Sequence, residues 1–172
     1  MVSNKNILIA QGGGPTNVIN QSLVGIIRQE KKYKSKILGS INGVNGIINN
    51  RFISLNKISE NDLKTIANTP GAALGSTRDK PDKKYCKEIL KILENKQISK
   101  FYYIGGNDSS DSLRIISEYA KDTKYKLQCI HIPKTIDNDL VCNDHTPGFG
   151  SAAKYVAQLF SGINYDVKSL PG

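Results

Sequence analysis

Short apolar segments alternate with longer amphipathic segments along most of this 172-residue chain. Short apolar runs favour β-strands, and apolar residues at a helical spacing favour α-helices. This β/α alternation predicts parallel strands joined by helical crossovers, in an open, mainly parallel α/β sheet with helices on both faces. The predicted strands span 6–10, 36–40, 100–104 and 128–132, and the predicted helices span 18–31, 59–68, 82–95, 109–121 and 150–162.

The length suits one domain with a real core and is too short for two ordinary domains, so we expect a single α/β domain over residues 1–172. The 24 basic and 15 acidic residues give a formal net charge of +9. This charge suits polyanionic partners such as phosphorylated substrates or nucleic acid. The lysines are scattered and not interleaved with aromatic residues, so a solvated basic surface is the simpler explanation.

The composition excludes several classes of protein. No apolar run is long enough to span a membrane, and the first apolar segment is a predicted strand and not part of a signal peptide, so we expect a cytoplasmic protein. The three cysteines have no C-x-x-C spacing, which argues against a disulfide framework or a zinc site. His131 and His145 have no metal-ligand spacing and receive no role.

Polar, glycine-rich segments follow the predicted strands. They are QGGGPTN (11–17), SINGVNGIINN (40–50), GGNDSS (105–110) and PKTIDND (133–139), and a longer loop, TPGAALGSTRDK (69–80), joins two predicted helices. In an open parallel sheet, ligands bind at the carboxyl ends of the strands. We therefore expect the functional site to be built from these loops.

The first loop, QGGGPTN, lies between a strand and a helix, so its glycines can bring backbone N–H groups around an anion. It is not the dinucleotide-binding fingerprint, because Asn17 stands where that motif needs a glycine. It is not a Walker loop either, because no Gly-Lys-Ser/Thr triplet follows. An ordinary β-to-α turn is the alternative interpretation.

The segment PKTIDND places Lys134, Thr135, Asp137 and Asp139 within six residues. Alternate carboxylates beside an ammonium can supply a base, a partner for metal-bound water and a cation for phosphate. For Asn138 and Asp139 taken alone, an Asx-turn is the favoured alternative. A turn needs neither the lysine nor the second acid, so the whole segment is more typical of a catalytic loop than of a simple turn.

Two further charged residues lie in glycine-rich loops. Arg78 can bind phosphate bidentately, and the alternative is a surface arginine. Asp108 follows the second glycine of a strand-to-helix turn, where backbone N–H groups favour an anionic ligand. Its alternative role is helix capping, for which Asn107 and Ser109 are equally suited.

Taken together, the four loops resemble those of the phosphofructokinase family. QGGGPTNVIN is similar to the family's first phosphate loop, PGAALGSTR to its arginine-bearing loop, YYIGGNDSSDS to its donor and magnesium loop, and PKTIDND to its catalytic loop, before a helix entered through TPGFGSAAKY. The resemblance implies a Rossmann-like, three-layer fold. It covers only the amino-terminal part of the family's chain, so we expect a fragment that is inactive alone.

The resemblance also implies which phosphoryl donor is used. ATP-using members of the family have glycine where Asp108 and Lys134 stand, and this Asp–Lys pair marks members that use pyrophosphate. A carboxylate at position 108 would lie where the α-phosphate of a nucleotide would go, and like charges repel strongly in a dry pocket. Asp108 is therefore predicted to exclude ATP.

The implied reaction transfers a phosphoryl group from pyrophosphate to the 1-hydroxyl of fructose 6-phosphate, a step of glycolysis. The residues that the resemblance implies as catalytic are Asp137, Lys134 and Asp108. Those implied for donor binding are Gly13 and Gly106 through their backbone, Arg78, Asp108 and Ser109, and those implied for the sugar phosphate are Thr135, Ile136 and Asp137.

The implied cofactor is Mg²⁺, with Asp139 acting through water and Asn107 standing where an aspartate is usual. The complete enzyme is expected to be a homo-oligomer with no nucleic-acid or membrane partner. Two alternatives remain open at this point. One is an ATP-dependent 6-phosphofructokinase of the same fold, and the other is a non-catalytic module that binds phosphate or nucleic acid.

Overall fold

The computed structural model describes residues 6–170. A five-stranded sheet with the order β3-β2-β1-β4-β5 forms its centre. The strands are β1 (Asn6–Gln11), β2 (Ile37–Ser40), β3 (Phe52–Ser54), β4 (Ile98–Gly105) and β5 (Gln128–Pro133). All neighbouring strands pair in parallel except β3, which is antiparallel to β2 at one edge. The predicted open, mainly parallel α/β sheet is confirmed.

Helices cover both faces of this sheet. In the described residues they are α1 (Ile19–Lys31), α2 (Gly43–Ile48), α3 (Glu60–Asn68), α4 (Lys83–Asn95), α5 (Asn107–Asp122) and α6 (Phe149–Ser169). Side chains alternate between the faces of a strand, so Ile7 and Ile9 of β1 pack in a core with α1 and α3, whereas Leu8 and Ala10 pack in a second core with α2, α4 and α5. The result is the predicted three-layer arrangement.

Two of the helices begin where the sequence predicts a start. The side chain of Ser59 accepts a hydrogen bond from the N–H of Asp62 before α3, and that of Asp82 accepts one from Tyr85 before α4. Serine and aspartate at these positions satisfy N–H groups that have no partner within the helix.

The segment 40–50 differs from its prediction as a polar loop, because it contains α2 and leads into the edge strand β3. Val44 and Ile47 are fully buried there, three residues apart on one side of the short helix. The prediction was wrong because a six-residue helix rich in asparagine and glycine shows too little apolar periodicity in the sequence.

Two other helix boundaries also differ. Helix α6 continues past Gly162 to Ser169, because a single glycine costs a helix only about 1 kcal/mol. Helix α5 begins at Asn107 and not at Ser109, so Asp108 belongs to the first helical turn. No helix within residues 6–170 is both long and apolar enough to cross a membrane.

Candidate active site

A cleft of about 350 Å³ lies at the carboxyl ends of β1, β4 and β5. These three strands are neighbours in the sheet, so the loops that follow them meet at one edge, and the loop 69–80 forms a further wall. The cleft is lined by Gly13, Gly14, Thr77, Arg78, Asp79, Tyr103, Gly106, Asn107, Asp108, Ser109, Ser112, Lys134, Thr135, Asp137 and Asp139. It therefore brings together every sequence-predicted site residue except Ile136.

Ile136 lies outside the cleft. Its side chain is 51% exposed and faces a separate depression of about 360 Å³, which is also lined by Thr16, Asn17, Ser151 and Tyr155. This depression adjoins the amino-terminal end of α6. A role for Ile136 in binding the sugar phosphate stays a prediction.

The first glycine loop is fastened to the arginine-bearing loop. The N–H of Gly13 donates to the carbonyl of Thr77 at 3.0 Å, and the hydroxyl of Ser76 donates to the carbonyl of Gly13 at 2.5 Å. The resemblance implied that the backbone of Gly13 binds the donor. In the structure the Gly13 N–H is instead engaged by the carbonyl of Thr77. Gly13 instead leaves space, because a Cβ there would lie 3.2 Å from the Nζ of Lys134, at a φ of +74° that favours glycine.

The turn between β4 and α5 presents a helix N-terminus to the cleft. Gly106 occupies the N-cap position, so the N–H groups of the first turn have no acceptor within the helix and favour an anion. Ser109 is buried beneath this turn, and a Cβ on Gly105 would lie only 2.1 Å from its Oγ. Glycine at position 105 is therefore what lets β4 pass directly over Ser109.

Asp108 forms an ion pair across the mouth of the cleft. Its carboxylate lies 3.0 Å from the Nζ of Lys80, and both side chains are largely exposed. Because Gly106 is the N-cap and no side chain caps α5, helix capping does not account for Asp108. The sequence did not single out Lys80 as a site residue.

Asp79 anchors the loop that carries Arg78 and Lys80. Its carboxylate accepts hydrogen bonds from the Nδ2 of Asn45 and from the hydroxyl of Tyr85, both at 3.0 Å. The hydrogen bond from Asn45 is the main cause that lowers the pKa of Asp79. Asp79 is thus held as a carboxylate by α2 and α4, while Arg78 lines the cleft and Lys80 reaches its mouth.

Hydrogen bonds also fix the loop that follows β5. The N–H of Lys134 donates to the carbonyl of Gly105 at 3.0 Å, and the hydroxyl of Thr146 donates to the carbonyl of Thr135 at 2.9 Å. Asn138 has a φ of +54°, and its Oδ1 accepts from the N–H of Thr146 at 2.8 Å. Asn138 therefore holds two ends of this loop together, through a bond to a residue eight positions on and not through the bond to the second following residue that defines an Asx-turn.

Lys134 is only 4% exposed, and its burial lowers the pKa of the ammonium, an effect that the charge of Asp137 opposes. Among the described residues Lys134 has no ion-pair partner. The ammonium lines the cleft, where its charge is only partly solvated. The arrangement therefore favours the binding of an anion beside Lys134.

The two aspartates of the catalytic loop differ in their contacts. The N–H of Asp137 donates to the hydroxyl of Thr135 at 3.1 Å, and the carboxylate of Asp137 is exposed to the cleft. The Oδ2 of Asp139 accepts a hydrogen bond of 2.5 Å from the Nδ2 of Asn107. This contact joins the loop after β5 to the first turn of α5.

The oxygen atoms of Asn107 and Asp139 suit Mg²⁺ as partial ligands. Within residues 6–170 no group of three or more His, Cys, Asp or Glu side chains could hold a metal ion by itself. Magnesium usually keeps several waters and is bound through one or two carboxylates together with substrate phosphates. The residues present therefore fit an ion that arrives with a phosphorylated donor.

His131 contacts the donor loop from β5. Its Nε2 lies 2.9 Å from the carbonyl oxygen of Gly105, and burial of the ring lowers its pKa. A neutral ring can donate to this carbonyl only if the proton is on Nε2. This contact could not be predicted from the sequence, because nothing near His131 resembles a ligand motif.

Other cleft residues missed by the sequence interpretation are Thr77, Asp79, Tyr103 and Ser112. Asp79 directly follows Arg78 in GSTRDK, so the arginine motif could have indicated it. Tyr103 gave no signal, because it lies in a strand that reads as core. Burial raises the pKa of Tyr103 to about 12.

Comparison with known proteins agrees with the geometry. The family model described as Phosphofructokinase matches residues 6–171. The chain belongs to the phosphofructokinase family. The resemblance of the four loops to this family is thereby confirmed.

Two similar curated proteins carry the word pyrophosphate in their names. The pyrophosphate–fructose 6-phosphate 1-phosphotransferase of Rhodospirillum rubrum is 56% identical over 168 residues, which cover 96% of this chain and 42% of that protein. The enzyme of the same name from Xanthomonas campestris is 42% identical over 174 residues, covering 98% of this chain and 42% of its own length.

A solved structure of a pyrophosphate-dependent phosphofructokinase from Nitrosospira multiformis superposes with a TM-score of 0.90 at 36% identity, covering 97% of this chain and 43% of that one. The chain thus spans 42% of the length of the curated phosphofructokinases it matches. This agrees with the expectation that the sequence corresponds to only part of the family's chain.

Proposed function

We propose that residues 1–172 are the donor-binding and catalytic-loop domain of a pyrophosphate-dependent phosphofructokinase. The complete enzyme transfers a phosphoryl group from pyrophosphate to fructose 6-phosphate in glycolysis, giving fructose 1,6-bisphosphate and phosphate. The observation that carries the proposal is the pairing of an acid, Asp108, at the mouth of the cleft with a buried ammonium, Lys134, inside it. The names of the similar proteins support it.

The donor binds between the first turn of α5 and the loop 69–80. The free N–H groups beyond Gly106 and the guanidinium of Arg78 receive its phosphate oxygens. Lys134 offsets the charge on the transferred group from the wall of the cleft, where the backbone holds it as a fixed cation. Ser109 supports the turn from below.

In the transfer step, the 1-hydroxyl oxygen of the sugar phosphate attacks the nearer phosphorus of pyrophosphate. The new P–O bond forms as the bond to the bridging oxygen breaks, and inorganic phosphate leaves. Asp137 accepts the proton of the hydroxyl, because its carboxylate is exposed to the cleft beside Lys134. Thr135 and Ile136 contact the sugar phosphate.

Mg²⁺ supplies charge neutralisation of the donor oxygens when it is bound. Asp139 and Asn107 are the residues that would hold it, Asp139 through water. Exclusion of ATP rests on Asp108, whose carboxylate would meet the α-phosphate of a nucleotide.

The complete enzyme is a cytoplasmic homo-oligomer, with no nucleic-acid or membrane partner. The 172-residue chain alone is inactive, because among residues 6–170 the cations at the cleft are Arg78, Lys134 and the nearby Lys80, all on the donor side. The sugar phosphate needs cations from the part of the family's length that this chain does not span.

The proposal is tested by joining this chain to the remaining part of the Rhodospirillum rubrum relative and measuring steady-state kinetics. Pyrophosphate and ATP are compared as donors at saturating Mg²⁺, with the 172-residue chain assayed beside the fusion. We expect turnover with pyrophosphate in the fusion alone. A fusion that prefers ATP would contradict the donor assignment, and robust turnover by the chain alone would contradict the need for the remaining part.

A further inference from the structure

Two buried amide side chains, those of Gln11 and Asn20, lie between the first glycine loop and the loop 69–80. Gln11 is the last residue of β1 and Asn20 lies in the first turn of α1, and they are 0% and 1% exposed. The Nε2 of Gln11 donates a hydrogen bond of 3.1 Å to the Oδ1 of Asn20. Neither side chain lines the cleft, and the proposed transfer step uses neither of them.

Both amides bind the backbone of the loop 69–80. The Oε1 of Gln11 accepts a hydrogen bond of 2.8 Å from the N–H of Leu74. The Oδ1 of Asn20 accepts one of 2.9 Å from the N–H of Ala73, and its Nδ2 donates one of 2.9 Å to the carbonyl of Thr69. The pair therefore holds a long loop to the end of β1 and the start of α1.

An amide suits position 11 because this side chain must donate and accept at once. Its Nε2 also donates to the carbonyl of Ile19 at 3.2 Å, while its Oε1 accepts from Leu74. A carboxylate would lose the donated bonds. An apolar side chain would leave the N–H of Leu74 without this acceptor, which is costly for a buried group.

The anchored part of the loop leads directly to Arg78. Leu74 lies four residues before Arg78, and the carbonyl of Thr77, just before the arginine, accepts from the N–H of Gly13. Gln11 and Gly13 thus hold the loop at two points three residues apart. A segment fixed at both ends has little freedom, so the backbone that enters Arg78 is fixed at the wall of the cleft.

We propose that Gln11 and Asn20 are positioning residues for the phosphoryl donor, acting through Arg78. They hold the loop 69–80 so that the guanidinium of Arg78 lies in the cleft before pyrophosphate enters. The proposal rests on the proposed function, because it assigns the two amides to the affinity for pyrophosphate. A loop that is ordered in advance loses less conformational entropy on binding. Loss of the amides should therefore weaken donor binding more than it slows the transfer step.

The test compares Gln11→Met with Asn56→Leu in the fusion to the remaining part of the Rhodospirillum rubrum relative. Asn56 is the matched control, because its amide also bridges backbone groups, the N–H of Ile37 at 2.9 Å and the carbonyl of Ser35 at 2.7 Å. These contacts lie where β2 begins, at the end of the sheet opposite the cleft. Both substitutions remove an amide and keep a side chain of similar size.

Gln11→Met should raise the KM for pyrophosphate at least about 10-fold and change turnover at saturating donor by less than about twofold. Asn56→Leu should leave both constants at their wild-type values, although both variants lose free energy of unfolding. An equal rise of KM in the two variants would overturn the proposal, because general destabilisation would then explain it. So would a loss of turnover at an unchanged KM.

Asn20→Asp is a second, milder variant. Its carboxylate keeps the acceptor for Gln11 and Ala73 and removes the bond to Thr69, which lies farther from Arg78 along the loop. The KM for pyrophosphate should rise by a smaller factor than in Gln11→Met. An unchanged KM in Asn20→Asp would overturn the proposal, whether or not Gln11→Met folds.

A double-mutant cycle shows whether the effect passes through Arg78. In an Arg78→Ala background, Gln11→Met and Asn20→Asp should each raise the KM for pyrophosphate by less than about twofold, because the group they position is gone. The same rise of KM with and without Arg78 would overturn the proposal.

Hydrogen exchange measured by mass spectrometry gives a readout that does not depend on the donor. The segment 69–80 of the fusion should exchange at least about 10-fold faster in Gln11→Met than in the wild type, and at the wild-type rate in Asn56→Leu. Wild-type exchange in Gln11→Met would overturn the proposal. If the fusion did not use pyrophosphate, the proposed function would fail, and exchange alone would decide whether the two amides hold the loop.

Discussion

The carboxylate of Asp108 lies 3.0 Å from the ammonium of Lys80, so the acid proposed to exclude ATP is neutralised by a lysine from a different loop. Exposed ion pairs of this kind contribute only about 0–1 kcal/mol. Lys80 can therefore leave Asp108 for a phosphate oxygen at little cost. The ion pair makes the mouth of the cleft neutral toward a small anion. Both side chains are largely exposed and not in the dry pocket that the sequence led us to expect, and the exclusion of ATP by Asp108 stays a proposal.

Replacing Asp108 by glycine should let ATP bind detectably to the fusion, because the repulsion is removed and Lys80 is released to contact a phosphate. Isothermal titration with ATP and Mg²⁺ measures the effect. Asp111→Gly is the matched control, since it places glycine in the same helix and breaks a different exposed ion pair, the one with Arg114. If Asp108→Gly bound ATP no better than Asp111→Gly, Asp108 would not determine the donor.

Replacing Lys134 by methionine should lower turnover with pyrophosphate by roughly 100-fold, about 3 kcal/mol, because a fixed cation beside the transferred group is lost. Methionine keeps the buried volume, so thermal unfolding should change little or shift upward as a buried charge is removed. Steady-state kinetics and a melting curve check the two effects. The exposed Lys126→Met is the control, and an equal loss of turnover there would refute a specific role for Lys134.

Replacing Asp137 by asparagine in the fusion should lower turnover by roughly 100-fold or more and leave the affinity for pyrophosphate nearly unchanged, because the substitution removes a base and keeps the shape. Asp144→Asn alters an exposed carboxylate of the same loop that does not line the cleft, and it should keep full turnover. Asp137 would not be the base if its variant retained most of its activity.

His131 should titrate below the usual histidine pKa of 6.5, because burial lowers its pKa and the charge of Lys134 adds to the effect. As the pH falls below about 6.5, the unfolded chain takes up a proton before the folded chain does, so the free energy of unfolding decreases until the pKa of the folded state is passed. His131→Gln keeps a side-chain donor for Gly105 and should remove this part of the pH dependence.

The measurement uses ¹⁵N-histidine NMR on the 172-residue chain, which has only two histidines, with His145→Gln to assign the signals. The His131 signal should show a proton on Nε2 at neutral pH. A proton on Nδ1 would contradict the contact with Gly105, and a midpoint above 6.5 would contradict the dominance of burial over that hydrogen bond.

Gly105→Ala should lower the free energy of unfolding by about 1–3 kcal/mol, because the new Cβ would lie 2.1 Å from the Oγ of the buried Ser109. Gly25→Ala, on an exposed side of α1 with open space around it, should instead raise stability by up to about 1 kcal/mol. Urea unfolding of both variants gives the comparison. Equal stability of the two would mean that the turn after β4 can shift to accept a side chain.

The regular parts of the fold and the position of the cleft could be predicted from the sequence, because apolar periodicity and glycine-rich loops are local signals. Helix α2 and the edge strand β3 could not, since α2 is stabilised by the burial of Val44 and Ile47 and β3 by its pairing with β2, and neither short segment has a clear pattern of its own. The contacts that shape the site were equally inaccessible. Lys80 meets Asp108, and His131 meets Gly105, only after the sheet has brought distant loops together.

The hydrogen bond from Asn107 to Asp139 affects how far the assembly of the site depends on a metal ion. An aspartate at position 107 would set two carboxylates against each other at this point, and the two loops would then stay together only when a cation lies between them. With asparagine, the loops are joined by the protein itself. A lineage that exchanged this asparagine for aspartate would therefore make the assembly of its catalytic loop depend on the metal supply of the cell.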